Sequence, residues 1–170
     1  MASAVPTRAF LVKAVTLEVD HVRELLSRVV DPDLPFLSID DIAILRDIAV
    51  TDEGHVTVTI TPTYSGCPAM GVITEDIVTV LAEGGFDSVA IETVYSPAWT
   101  TEWMSDDAKR KLAENRIAPP DSVLAIVPEV LCPLCSSDTV RTVSEFGSTA
   151  CKSIMVCTEC GEPFDYFKAI

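Results

Sequence analysis

Histidine is nearly absent from this chain: His21 and His55 are the only two in 170 residues. With so few, a cysteine–histidine nucleophilic pair has little support. His21 falls in the first predicted helix and His55 opens a predicted strand, so each is expected to pack or to face solvent. The paired Glu-x-x-His helices of a di-iron carboxylate cage are missing, as is the glycine fingerprint of a dinucleotide fold. Positive charge is scarce as well. Twelve Lys and Arg stand against 26 Asp and Glu, for a net charge of −14. Such a surface repels a phosphate backbone, which argues against nucleic acid as a partner. It suits solubility, or a protein partner carrying basic patches. No run of eighteen apolar residues occurs, so no membrane span is expected. Arg8 and Lys13 flank only Ala9 to Val12, too short for the core of a signal peptide. Residues 1–16 are read as a loose leader. Six cysteines, two CxxC pairs and two singles without an export signal, point to a reducing cytoplasm.

What is present is concentrated at the C-terminal end. Cys132-Pro133-Leu134-Cys135 and Cys157-Thr158-Glu159-Cys160-Gly161 form two knuckles. Two residues between paired cysteines let both sulfurs face one metal from a tight turn, and the stretch between the knuckles has room for short strands. Gly161 permits the positive φ that such turns need. Four thiolates leave no open coordination position, so structural zinc is the expected occupant. A redox-active disulfide pair and an iron–sulfur site are the alternatives. Thiolates accept either zinc or iron. The ribbon is assigned to residues 129–170, after a linker at 119–128.

Residues 17–118 read as an α+β domain. Leu17, Val22, Leu25, Leu26, Val29 and Val30 recur near helical spacing, with Thr16 as candidate N-cap. Asp31-Pro32-Asp33-Leu34-Pro35 is expected to end that helix, because proline disfavours helix in the residue before it. Ile42 to Val50 and His55 to Thr61 read as a β-hairpin around Asp52-Glu53-Gly54. Ala69 to Ala82 reads as a helix, with Met70, Ile73, Ile77, Val80 and Leu81 on its buried side. Val89 to Tyr95 follows as a strand. Ser105 to Arg116 is a helix with Ser105 as N-cap and Asp106 and Asp107 in its first turn. Ile117 to Ser122 is read as linker. The order gives a two-layer sandwich of a small mixed sheet and helices, plus a zinc β-ribbon.

Several single residues carry chemistry. Cys67, in Thr63-Tyr64-Ser65-Gly66-Cys67-Pro68, falls at the start of the second helix, where free N–H groups and the helix dipole stabilise a thiolate. It could be a metal ligand, an iron–sulfur ligand, a nucleophile or simply a small buried residue. Asp31 and Asp33 bracket a proline and fit turn chemistry better than an acid–base couple. Trp99 and Trp103 are placed to stack on one helical face as a lid on the core. Cys151 is surplus to a four-ligand site. Packing is its expected role, although Lys152 would lower its pKa if it were exposed.

These segments resemble a known family. Asp31-Pro32-Asp33, the hairpin, Thr63 to Pro68, Ser96-Pro97-Ala98-Trp99 and the helix after Met104-Ser105 are similar to the metal–sulfur cluster biosynthesis domain. With the ribbon, Phe146 to Lys152 and Cys160 to Lys168, residues 17–170 resemble the accessory-protein family of phenylacetyl-CoA epoxidase systems. The resemblance implies a non-catalytic maturation subunit in aerobic phenylacetate degradation. It implies as partners a di-iron oxygenase and a reductase that carries flavin and an iron–sulfur cluster. Cys67, Asp31 and Asp33 would handle iron or a transient iron–sulfur cluster, and Cys132, Cys135, Cys157 and Cys160 would hold zinc. A structural docking subunit and a general cluster carrier are the alternatives. Pro32 to Ser38 departs from the usual Asp-Pro-Glu-Ile run, which favours a dedicated client.

Overall fold

The computed structural model describes residues 18–121 and 130–170. The expected leader and most of the expected linker lie outside the described residues. The first helix, α1, spans residues 18–26 among them, with Val22 and Leu26 fully buried. It ends earlier than the periodicity suggests. Val30–Asp31 is a strand, β1, paired antiparallel with β2 at Leu34–Ser38. Val29 and Val30 are apolar because they enter this hairpin, and apolar residues alone do not separate a helix end from a short strand. Asp31-Pro32-Asp33 is therefore a hairpin turn as well as a helix stop. Its Asp31 Oδ1 accepts from Asp33 N at 2.8 Å and Leu34 N at 3.0 Å.

β3 is Leu45–Val50 and β4 is Val56–Ile60, antiparallel neighbours. Residues 42–44, expected to be strand, precede β3, and Ala43 turns the chain there at φ 52°. In β4, Val56, Val58 and Ile60 are fully buried, and the threonines between them face the other way, as a period of two requires. The chain crosses over through α2, Ala69–Glu83, to β5, Val89–Thr93, which pairs parallel with β4. Ala69, Ile73, Ile77 and Leu81 form the buried stripe of α2. A 3₁₀ turn at Thr101–Trp103 leads to α3, Asp106–Glu114, where Ser105 Oγ accepts from Ala108 N at 3.0 Å as N-cap. Trp99 lies before the 3₁₀ turn, so the two tryptophans do not share one helical face. Trp99 is buried and donates from Nε1 to Ile42 O at 2.9 Å, whereas Trp103 carries the Arg46 guanidinium over its ring at 3.8 Å.

The ribbon is a sheet in the order β6-β9-β8-β7. β7 is Val140–Ser144, β8 is Lys152–Cys157 and β9 is Pro163–Phe167. β6, at Ile117–Ala118, pairs parallel with β9, so residues read as linker form the seam between the two parts. Phe167 is 1% exposed and belongs to the same core as α2 and β4, with its ring 6.3 Å from that of Trp99. A second, smaller core holds Val130, Met155, Phe164 and Tyr166. The architecture is α+β, as expected, with the ribbon packed onto the sandwich. Among the described residues no helix is long and apolar enough to cross a membrane.

Candidate metal centre and thiol site

Two knuckles bring four sulfurs together. The first precedes β7, and the second joins β8 to β9. Cys132 N donates to Ser137 O at 2.8 Å, and Gly161 N donates to Cys157 O at 2.9 Å, closing both turns. Gly161 adopts φ 79°, the left-handed conformation that a side chain resists. The sulfurs of Cys132, Cys135, Cys157 and Cys160 lie within 4.8 Å of one another. Cys132 Sγ is 3.8 Å from Cys160 Sγ, and Cys135 Sγ is 3.6 Å from Cys157 Sγ. A tetrahedron with metal–sulfur bonds of about 2.3 Å has edges of about 3.8 Å, so the four thiols are already spaced to hold a metal ion. The N–H of Cys160, aimed at the buried Cys157, outweighs its burial and, with the Glu159 N–H and the Cys135 and Cys160 thiols, draws that thiol down to about 7. Metal binding requires such deprotonation.

A second set of groups meets at the junction of the two parts. Tyr64 O accepts from Cys67 N at 3.3 Å across a turn whose third residue, Gly66, has φ 84°; positive φ at this place is the requirement of a type II turn. The turn delivers Cys67, half-buried, to Pro68, which caps α2. Burial, then the charge and hydrogen bond of Cys67, push the Tyr64 phenol up to about 12, with Cys151 and Asp33 adding to the effect. Tyr64 thus hydrogen-bonds with Cys67 and lies within electrostatic reach of Cys151 and Asp33. In the turn between β1 and β2, Asp31 is 8% exposed. Burial holds its carboxyl above the usual range despite the N–H groups of Asp33 and Leu34 and the nearby Lys152. A cavity of about 290 Å³ adjoins Tyr64, lined also by Thr61, Thr63, Tyr95 and Trp99.

Asp31 and Asp33 share the turn between β1 and β2, Cys67 stands at the head of α2, and the ligand atoms of the four ribbon cysteines gather by themselves. Two further residues carry no signal in the sequence that marks them. Tyr64 belongs to no spacing motif. Cys151, whose thiol Lys152 would lower if it were exposed, is half-buried instead, and burial raises it against Thr149 and Lys152. Of the two histidines, His55 Nδ1 lies 2.8 Å from Ser88 Oγ. His21 does stand in a single Glu18-Val19-Asp20-His21 spacing, but its ring packs 6.0 Å from that of Phe86.

Comparison with known proteins gives these sites a context. Residues 118–168 match the family described as PaaD zinc beta ribbon domain. Residues 19–93 match the family described as iron–sulfur cluster assembly protein. The chain is 35% identical over 96 residues to the "Fe-S protein maturation auxiliary factor" of Porphyromonas gingivalis, covering 56% of this chain and 90% of that one. A solved domain of unknown function, DUF59, from Bacillus anthracis superposes with a TM-score of 0.57 at 26% identity, covering 59% of this chain and 96% of that one. Over 156 residues the chain is 43% identical to a protein of Escherichia coli (strain K12) named as a putative subunit of 1,2-phenylacetyl-CoA epoxidase, covering 90% of this chain and 94% of that one. With both modules matched in order, the chain belongs to the family of that epoxidase component, in which an iron–sulfur assembly domain continues into a PaaD zinc ribbon.

Proposed function

We propose that this protein is a maturation subunit of a phenylacetyl-CoA epoxidase system, supplying iron or an iron–sulfur cluster to the oxygenase or reductase. The observation that carries the reading is Cys67, held at the head of α2 by the Gly66 turn and hydrogen-bonded with Tyr64, within an iron–sulfur assembly domain. A half-buried thiol there is guarded from solvent yet reachable by a client. Iron is cargo in this account. Cys67 binds it, Asp31 and Asp33 line the approach, and release to the client follows ligand exchange. The ribbon is the structural part. Its four thiolates hold zinc with no coordination position left for chemistry, and their role is to keep the second module folded against the first. The acidic surface, net −14, favours a client surface that carries basic residues.

The test is metal and sulfide analysis of wild type and Cys67→Ser, both purified without oxygen. The reading expects zinc in both and iron with sulfide in wild type alone. Iron and sulfide retained equally by Cys67→Ser would remove Cys67 from the role.

A further inference from the structure

We propose that the outward face of α2 is the surface on which the client docks, and that it takes a basic amphipathic helix presented by the oxygenase or reductase subunit. The inference rests on the maturation reading and names the surface and the partner chemistry that reading leaves open.

The inward side of α2 packs into the core through Ala69, Ile73, Ile77 and Leu81. On the opposite side, Gly71, Glu75, Val78 and Ala82 recur at i, i+4, i+7 and i+11, which places them in one stripe. All four are exposed, as are Val72, Asp76 and Thr79 beside them. Val72 and Val78 are 47% and 45% exposed. β-Branched side chains lose rotamer freedom in a helix, so a face that meets only water gains nothing from two valines. Gly71 adds an independent sign. Glycine weakens a helix, yet a Cβ at this position would meet no heavy atom of the described residues within 4 Å. Packing inside the chain therefore does not require bare backbone there, whereas a second helix crossing closely from outside does.

Charge decides what that second helix carries. α2 holds Glu75, Asp76 and Glu83 and no Lys or Arg. Glu83 is paired with Arg28 at 3.1 Å, but Glu75 and Asp76 have no ion pair among the described residues. A second copy of this chain docked here symmetrically would set Glu75 against Glu75, and an anionic lipid or phosphate surface would be repelled. A partner helix with lysines or arginines among aliphatic residues answers both the valines and the carboxylates. The stripe begins one turn after Cys67, whose carbonyl accepts from Met70 N at 3.3 Å. A helix lying along α2 thus reaches the end of α2 that carries the thiol.

The experiment uses the full chain with the purified oxygenase and reductase subunits of the same epoxidase system. Binding is measured at about 50 mM and about 300 mM salt. Wild type is compared with Glu75→Lys/Asp76→Lys, with Cys67→Ser, and with Asp52→Lys/Glu53→Lys, which makes the same charge change on the β3–β4 turn. One of the two subunits should bind wild type, and more weakly as salt rises. The α2 variant should bind that subunit about tenfold more weakly or worse. The turn variant and Cys67→Ser should stay within about twofold of wild type, with zinc unchanged in all. An α2 variant that binds and loads the subunit as wild type does would overturn this inference and leave Cys67 in its role. Equal losses in both charge-reversed variants, or binding of wild type to neither subunit, would overturn it as well. A subunit fully loaded by Cys67→Ser would instead remove the maturation reading. Carbodiimide coupling of wild type to the subunit needs no variant. It should join Glu75 or Asp76 to a lysine of the partner, and crosslinks from other carboxylates alone would overturn the proposal.

Discussion

Two aspartates ten residues apart respond to pH with opposite signs. Burial raises Asp41, but Lys111 Nζ at 2.8 Å and the N–H and hydroxyl of Ser38 outweigh it, leaving its carboxyl below the ordinary range. A depressed carboxyl adds stability above its unfolded value of about 3.9 and loses it as pH falls through the folded value. Asp41→Ala should therefore cost about 1–2 kcal/mol near pH 7, with the gap to wild type narrowing below about pH 4. Asp31 is the reverse case, because burial raises it. Its contribution is complete below the unfolded value and is lost as pH rises through the folded one. Asp31→Asn keeps an acceptor for Asp33 N and Leu34 N, so its thermal stability relative to wild type should grow from about pH 4 to 7. Urea and thermal unfolding across pH check both; a gap of constant size for either variant would contradict the assignment.

The elements divide by how locally their residues announce them. The stripe of α2 repeats every four residues, and Ile77 at its middle is 0% exposed. Ile77→Ala should destabilise the protein by about 2–5 kcal/mol in urea unfolding, and a loss near zero would mean that the stripe does not carry the core. That repeat made α2 legible in the sequence, alternation every two residues made β4 legible, and the Ser105 cap with its acidic first turn marked α3. Leu34–Ser38 was not legible, because Pro35 and a two-residue partner strand obscure the alternation. Ile117–Ala118 was invisible as a strand, since two residues carry no period and their pairing is set by β9, almost fifty residues away. The metal knuckles were legible because each pair is confined to a single turn. Metal removal should act on those elements selectively. A chelator should speed amide exchange through Val140–Ser144 and Lys152–Cys157 while α2 keeps its protection; equal loss in α2 would show one cooperative unit.

At the scale of the whole molecule, the join between modules is the feature that no segment discloses. Phe167 reaches the sandwich core, β6 enters the ribbon sheet, and Thr101 N donates to Ile170 O at 3.1 Å. Cys67 was legible as a candidate from its place before α2. The electrostatic reach of Tyr64 to Cys151 and Asp33 was not, because those residues lie about thirty to ninety positions away in sequence. The central claim is that Cys67 loads a client with iron. The decisive measurement is the iron and acid-labile sulfide content of the oxygenase and reductase subunits produced together with wild type or with Cys67→Ser. A client loaded beside wild type should be empty beside the variant, while the variant itself stays folded with its zinc. Clients fully loaded by Cys67→Ser would contradict it.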